Sequence, residues 1–197
     1  MDGVFAPDPR ARVAALLNYT FLVLVMAVVV GILVAAMTIQ YVNGELPCPL
    51  CLLQRVAMLG VCFGIVLNVR CGFAYRNTGI SLLSASFLLL VAARQTLLDI
   101  YPRPGHAYIG SAVLGIHMPV WSVIIAIALI VAYALELAVL GREAWLDRVG
   151  IERFPRLKRI ADGLCALVVA IAVVNLVSAL VQCGLGECHT FSYKLLP

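Results

Sequence analysis

Five long apolar stretches dominate the sequence and leave little choice of fold. They cover roughly residues 14–42, 52–69, 79–98, 119–140 and 162–182. A helix that crosses the hydrocarbon core of a bilayer needs about 20 predominantly apolar residues. Lipid offers no hydrogen-bond partners to backbone groups, so these segments must cross as helices. The sequence therefore predicts an all-α integral membrane protein with five transmembrane helices.

Composition excludes an ordinary soluble domain. Of 197 residues, 63% are hydrophobic and 12% are charged, whereas soluble domains carry about 25% charged residues. The length leaves no room for a sizeable soluble domain beside the helices. The net charge of +4 is not concentrated in basic runs interleaved with aromatic residues, so we expect membrane lipid, and no nucleic acid, around this protein.

The basic residues between the spans predict the orientation of the chain. With the loops numbered from the N-terminus, ten of the 14 Lys and Arg residues fall on one side and four on the other. Lys and Arg accumulate in cytoplasmic loops, so the N-terminus is predicted to be cytoplasmic. Five crossings then place the C-terminus on the opposite, non-cytoplasmic side.

Seven cysteines divide into two close pairs and three single residues. Cys48 and Cys51 come at the outer end of the second span, and Cys183 and Cys188 at the outer end of the fifth. Both pairs are therefore predicted to share the face on which disulfides persist. The single cysteines are Cys62, Cys71 and Cys165. We interpret these three as small buried apolar residues.

The first cysteine pair opens the second span in a sequence suited to redox chemistry. Pro49 is predicted at the first helical position, with Cys48 as the N-cap and Cys51 in the first turn. The free amides and the positive end of the helix dipole stabilise a thiolate there. Arg55 lies four residues beyond Cys51, on the same helix face. Its guanidinium could hold an electron-poor carbonyl ligand, or it could extend to the lipid headgroups.

The second cysteine pair allows three interpretations. Cys183 and Cys188 enclose four residues, two of them glycines, and such a loop can close a disulfide and move once it is opened. The pair could instead be a static structural bridge, or part of a metal-binding cluster with His189. We favour the active pair, because the fifth span returns the chain to the face that carries Cys48.

Two connecting segments show helical spacing of their apolar residues. Segment 142–160 is basic with interspersed apolar residues, which is typical of an interfacial helix along the cytoplasmic leaflet, here broken at Pro155. In the outer segment 99–118 the spacing predicts a short surface helix. Its apolar residues are Ile109, Ala112, Val113 and Ile116.

Three motifs resemble one known family, the DsbB-type disulfide-bond formation proteins of bacterial inner membranes. They are CPLCLLQR at 48–55, RQTLLDIYPRP at 94–104 and GIHMPVW at 115–121. The resemblance covers about 14–140. It implies a DsbB-like four-helix bundle at 1–140, to which this chain adds a basic cytoplasmic segment at 141–161 and, at 162–197, a fifth helix with a periplasmic tail.

The resemblance also implies an activity. Members of this family reoxidise a periplasmic thioredoxin-like thiol oxidase, DsbA, and pass the electron pair to membrane quinone, either ubiquinone or menaquinone. By resemblance, Cys48 and Cys51 exchange electrons with the quinone, Cys51 contacts its ring, and Arg55 holds it. No metal is implied at this site.

The chain departs from the family pattern in three ways. The family's outer loop after the third span carries a second cysteine pair, but segment 99–118 has none. A fifth span is appended, and Cys183/Cys188 is the only candidate replacement pair. A histidine near the quinone in other members aligns with Gln95 here. Gln95 and Arg94 are therefore candidates to hydrogen-bond the quinone.

The resulting hypothesis is a relay of disulfide exchanges. A reduced partner attacks Cys183–Cys188, the released thiolate attacks Cys48, and Cys51 is freed to reduce the quinone. Two alternatives stay open. In one, the partner meets Cys48–Cys51 directly. In the other, the protein is a membrane metal-binding or assembly protein that uses the four cysteines and His189 as ligands.

Overall fold

The computed structural model describes residues 9–44, 46–100, 112–140 and 149–184. Within these ranges it contains five long helices. They are α1 (Pro9–Asn43), α2 (Pro49–Cys71), α3 (Tyr75–Ile100), α4 (Met118–Leu140) and α5 (Pro155–Cys183). Each is long and apolar enough to cross a membrane. The predicted helical multi-pass fold is therefore confirmed, with each predicted span lying inside one helix.

Hydrogen bonds and an ion pair show which helix ends lie together. Three side-chain hydrogen bonds connect the start of α2 to the end of α1, to the end of α3 and to the start of α4. A fourth connects the end of α5 to the residue before Cys48. We call this side of the bundle the Cys48 end. On the opposite side, Arg70 at the end of α2 pairs with Asp162 near the start of α5 at 3.5 Å. We call it the Arg70 end.

The core runs along the middle of the bundle. α2 packs most extensively on α3, and α3 on α4, while α1 packs on both α5 and α2. The largest fully buried apolar side chains are Tyr19, Tyr133, Leu22, Met26, Leu33, Ile65 and Leu88. Many large apolar side chains point outward, among them Leu83, Leu90 and Val139. An apolar outer face of this kind suits contact with lipid tails.

Gly64 allows the close approach of α2 and α3. A Cβ atom at this position would lie 2.5 Å from the backbone oxygen of Asn77 and 2.9 Å from the backbone nitrogen of Ser81. Both atoms belong to the α3 backbone, which cannot move aside as a flexible side chain can. Small residues at helix contacts are the usual way for membrane helices to pack closely.

Replacing Gly64 by alanine should therefore destabilise the bundle. Overpacking of a tight contact costs about 1–3 kcal/mol, so we expect the Gly64→Ala variant to unfold several degrees below the parent in detergent. Gly79→Ala is the matched control, because a Cβ at Gly79 on α3 meets nothing within 4 Å. Equal unfolding temperatures for the two variants would contradict the close approach at Gly64.

The connection between α3 and α4 differs from the predicted short helix. Ala112–Val113 pairs antiparallel with Ile116–His117, so residues 112–117 form a small hairpin. Leu114 and Gly115, the two residues of its turn, both have positive φ (53° and 77°). Two positive φ angles are the signature of a tight hairpin turn. The helical spacing of the apolar residues was misleading here, and Ile109 lies outside the described residues.

The segment before α5 also differs from its prediction. Pro155 does not break a helix along the membrane surface but begins α5, a position that its fixed φ favours. A 3-10 helix, Ile151–Arg153, precedes it. Val149 and Ile151 are buried in the core, so these residues pack inside the bundle rather than lying on its surface. Residues 141–148 lie outside the described ranges.

Candidate functional site

The first cysteine pair forms a disulfide at the N-terminus of α2. Cys48 is the N-cap and Pro49 follows at the start of the helix, as predicted. Cys48 and Cys51 are bonded to each other, with their Cα atoms 5.0 Å apart. The backbone N–H of Cys51 donates to Cys48 Sγ at 3.1 Å. This N–H is one of the free donors that a helix N-terminus offers, and it favours negative charge on that sulfur.

A buried chain of side-chain amides lies against the disulfide. Gln95 Nε2 on α3 lies 3.4 Å from Cys48 Sγ and 3.5 Å from Cys51 Sγ. Gln95 Oε1 accepts from Gln54 Nε2 at 2.8 Å, and Gln54 Oε1 accepts from Ser122 Oγ at 2.8 Å. The Gln54 bond turns the Gln95 amide so that its N–H groups face the sulfurs. Three helices thereby hold one donor beside the reactive pair.

Arg55 is held inside the bundle and does not extend to the bilayer surface. Its side chain is 8% exposed. Nη1 donates to Gln40 Oε1 at 2.5 Å and Nη2 to the backbone oxygen of Ala36 at 3.1 Å, both on α1. Gln40 Nε2 in turn donates to Ser178 Oγ on α5 at 2.9 Å. Three helices thus fix the guanidinium one helical turn below Cys51.

A cavity of about 150 Å³ opens between α1, α2 and α4, directly beside the disulfide. One edge is polar and is formed by the two sulfurs, Gln40, Gln54 and Arg55. The opposite walls are apolar and come from α1 and α4. They include Ile32, Leu33, Ala36, Ile39, Trp121 and Ile125. A dry cavity of about 150 Å³ accommodates one benzene-sized ring. The site is therefore suited to a flat apolar ring with carbonyl oxygens that accept hydrogen bonds.

The end of α5 lies against the segment that precedes Cys48. Gln182 is fully buried, and its Nε2 donates to the backbone oxygen of Pro47 at 2.8 Å. The next residue, Cys183, is buried and disulfide-bonded. Cys183 directly follows Gln182, and Cys48 directly follows Pro47, so each cysteine is adjacent in sequence to one partner of this hydrogen bond. Cys188 lies outside the described residues.

The remaining residues of interest lie apart from the cavity. Arg94 is exposed and faces outward on α3, where it shares a shallow groove with Leu90, Leu97 and Leu98. Cys62 and Cys165 are free and buried, as expected for small core residues, and burial fits an unreactive role. Cys71 is also free but exposed. Its predicted burial is wrong, because it is the last residue of α2.

The metal-binding alternative requires several Cys, His, Asp or Glu side chains that converge on one point. Across 9–44, 46–100, 112–140 and 149–184, no group of three or more His, Cys, Asp or Glu side chains is placed to hold a metal ion. Cys48 and Cys51 share a disulfide, whereas zinc binds thiolates. His189 lies beyond the described part of the chain.

The fold and site define a multi-pass helical membrane protein with a disulfide at the N-terminus of one transmembrane helix. Residues 18–107 match the family described as disulfide bond formation protein DsbB. This match supports the resemblance to DsbB-type proteins that the motifs predicted. No solved structure matches it significantly.

Curated proteins show the same resemblance. Proteins called disulfide bond formation protein B from Acidovorax sp. (strain JS42) and Paracidovorax citrulli (strain AAC00-1) are each 38% identical over 84 residues, which is 41% of this chain and 48% of theirs. The corresponding protein of Polaromonas sp. (strain JS666 / ATCC BAA-500) is 36% identical, over 50% of its length. The chain thus spans about half the length of the relatives it matches.

Proposed function

We propose that this protein is a membrane dithiol:quinone oxidoreductase that makes disulfides for a periplasmic partner. The partner is a thioredoxin-like thiol oxidase of the DsbA type, and the electron acceptor is ubiquinone or menaquinone in the bacterial inner membrane. The Cys48 end faces the periplasm and the Arg70 end the cytoplasm, consistent with the excess of basic residues in the loops of the Arg70 end.

One observation carries the relay that we propose between the two cysteine pairs. The Gln182–Pro47 hydrogen bond of 2.8 Å holds the end of α5 against the residue before Cys48. Thiol–disulfide exchange needs the attacking sulfur to reach bonding distance of its target. A cysteine that directly follows Gln182 is well placed to attack a cysteine that directly follows Pro47.

The exchange proceeds in three balanced steps. The partner dithiol is oxidised to its disulfide, and the Cys183–Cys188 disulfide becomes a dithiol. A Cys183 or Cys188 thiolate then attacks Cys48 and forms a mixed disulfide, and Cys51 leaves as a thiolate. The other cysteine of the 183/188 pair attacks this mixed disulfide, which releases Cys48 as a thiolate and reforms the Cys183–Cys188 disulfide. Finally the Cys48–Cys51 dithiol gives up two electrons and two protons and closes again. A quinone held in the cavity would supply the acceptor for these two electrons and two protons.

The lining of the cavity suits that ligand. Arg55, with the adjacent amide of Gln54, would hold a quinone oxygen, while the apolar walls from α1 and α4 accommodate its ring. Arg55 also favours an anion that forms beside it, because its guanidinium is buried and fixed by Gln40 and Ala36. We propose that Gln95 stabilises negative charge on the two sulfurs. Binding the quinone is not its main role in this proposal. Arg94, which faces outward, is left out of this proposal.

Serine at position 183 tests the relay. We expect the Cys183→Ser variant to lose quinone reduction with a reduced thioredoxin-like protein as donor, down to the uncatalysed rate. It should keep reducing quinone with a small dithiol that enters the cavity and attacks Cys48–Cys51 directly. Cys71→Ser is the control, because Cys71 is free and exposed at the Arg70 end.

The same assay separates the alternatives. If Cys183→Ser reduces quinone at the parent rate with the protein donor, the partner meets Cys48–Cys51 directly and the relay is wrong. Thiol titration after chelation tests metal binding, since ligand cysteines become free thiols when a metal is removed, whereas disulfides stay silent until reduced.

A further inference from the structure

We infer that α5 also builds the ligand site, with Ser178 acting as a positioning residue for Arg55 through Gln40. This inference rests on the proposed function, because the ligand concerned is the quinone. It assigns α5 a second role. Besides bringing Cys183 to Cys48, the helix sets the guanidinium that would hold the ligand.

The contacts form one continuous line from α5 to the cavity. Ser178 Oγ accepts from Gln40 Nε2 at 2.9 Å, and Gln40 Oε1 accepts from Arg55 Nη1 at 2.5 Å. All three side chains are buried, with exposed fractions of 6% for Ser178, 3% for Gln40 and 8% for Arg55. Ser178 is 138 residues away from Gln40 in sequence, so the bond is a tertiary contact made specifically by α5.

The chemistry of the groups determines which of them donates and which accepts in this chain of hydrogen bonds. A guanidinium carries only donors, so Gln40 must turn its carbonyl oxygen towards Arg55. The Gln40 amide then points its N–H groups at α5, where the Ser178 hydroxyl accepts. Without that hydroxyl the buried Gln40 amide would lose this hydrogen bond, and the loss of a buried hydrogen bond is unfavourable. The Gln40 amide would then be held less firmly, and so would the Arg55 guanidinium that it binds.

Ser178 does not line the cavity, whereas Gln40 and Arg55 do. Its effect on the ligand must therefore pass through them. A loosely held Arg55 binds the quinone less tightly but leaves the two disulfides and the Gln182–Pro47 bond unchanged. Loss of Ser178 is thus expected to raise the KM for quinone and to spare the exchange between the cysteine pairs.

The experiment compares two side chains of nearly equal shape at position 178, threonine with a hydroxyl and valine without one. We expect Ser178→Val to raise the KM for a short-chain ubiquinone by about three- to tenfold, the effect of one hydrogen bond, with kcat little changed. Ser178→Thr should restore a KM close to the parent value. Ser86→Ala is the control, since the Ser86 hydroxyl is exposed and bonds only to Leu82 of its own helix.

Quinone reduction by the parent protein distinguishes failure of the proposed function from failure of the Ser178 inference. If it reduces no quinone, the proposed function fails. If it reduces quinone but the Val and Thr variants share one KM, the Ser178 inference is overturned. A fall in kcat with an unchanged KM would also overturn it, because this would place Ser178 in the exchange between cysteines. If the Val variant does not fold, Ser178→Ala provides the same comparison with Thr.

Discussion

Alanine at both Cys51 and Cys188 should stop quinone reduction completely and leave Cys48 joined to Cys183 in one stable disulfide. Each alanine removes the sulfur that would resolve the intermediate of the exchange. The two remaining cysteines flank the Gln182–Pro47 hydrogen bond and are both buried. Two sulfurs oxidise to each other readily where their Cα atoms lie within about 4.4–6.8 Å, and we expect the Gln182–Pro47 bond to bring these two cysteines within that reach.

Peptide mapping under non-reducing conditions would detect the Cys48–Cys183 bond directly. The matched control carries alanine at Cys48 and Cys188, which leaves Cys51 and Cys183. Cys51 lies in the first turn of α2, three residues beyond Cys48, so we expect much less of the corresponding disulfide. If Cys48 and Cys183 both remain free thiols under oxidising conditions in the first variant, the two segments do not meet in the way that the relay requires.

Removal of the Arg55 guanidinium should have the second-largest effect. We expect Arg55→Met to lower kcat/KM for quinone by about 100-fold, similar to the loss of one donor that stabilises developing charge in a buried site. Methionine fills much of the same volume but leaves Gln40 Oε1 and the Ala36 carbonyl without the donor they now share. Some loss of thermal stability should accompany the kinetic effect.

Lysine at this position separates charge from geometry. Arg55→Lys keeps the positive charge, but an ammonium cannot reproduce the planar fork that reaches Gln40 and Ala36 together. We expect activity between those of the parent and the Met variant. Arg70→Met is the matched control, because Arg70 is exposed and pairs with Asp162 at the opposite end of the bundle. Equal activity in the Arg55→Met and Arg70→Met variants would remove Arg55 from the site.

Much of the framework could be predicted from local sequence. The five helices follow from apolar runs of sufficient length, because the ability of a segment to cross the bilayer depends mainly on its length and apolarity and little on how it packs against its neighbours. The cap of α2 was also predictable, since proline fixes its own φ and cysteine at the N-cap can accept from the first turn. The helix bounds were less accurate. α1 extends to Pro9 and α5 begins at Pro155, beyond the purely apolar stretches, because helices continue into polar sequence at the membrane boundary.

The hydrogen bonds of the site could not be predicted in the same way. Gln54, Ser122 and Ser178 are single polar residues in apolar helices, and their partners depend on how each helix is rotated about its axis. Gln54 is 68 residues from Ser122 in sequence, and no local pattern encodes that register. The useful signal was present nonetheless, since each of these residues lies near the Cys48 end of its helix. Polar residues that recur at one depth of several spans indicate a shared buried site.

Attachment of α5 to the rest of the bundle has a kinetic consequence. In the proposed relay, the donor cysteines and the acceptor cysteines belong to one folded polypeptide, and a hydrogen bond fixes the end of α5 to the residue before Cys48. Such an arrangement makes the handover a first-order event with a high effective concentration. Its rate should be unaffected when the protein is diluted among more lipid, whereas the preceding collision with the soluble partner should slow in proportion to that partner's concentration.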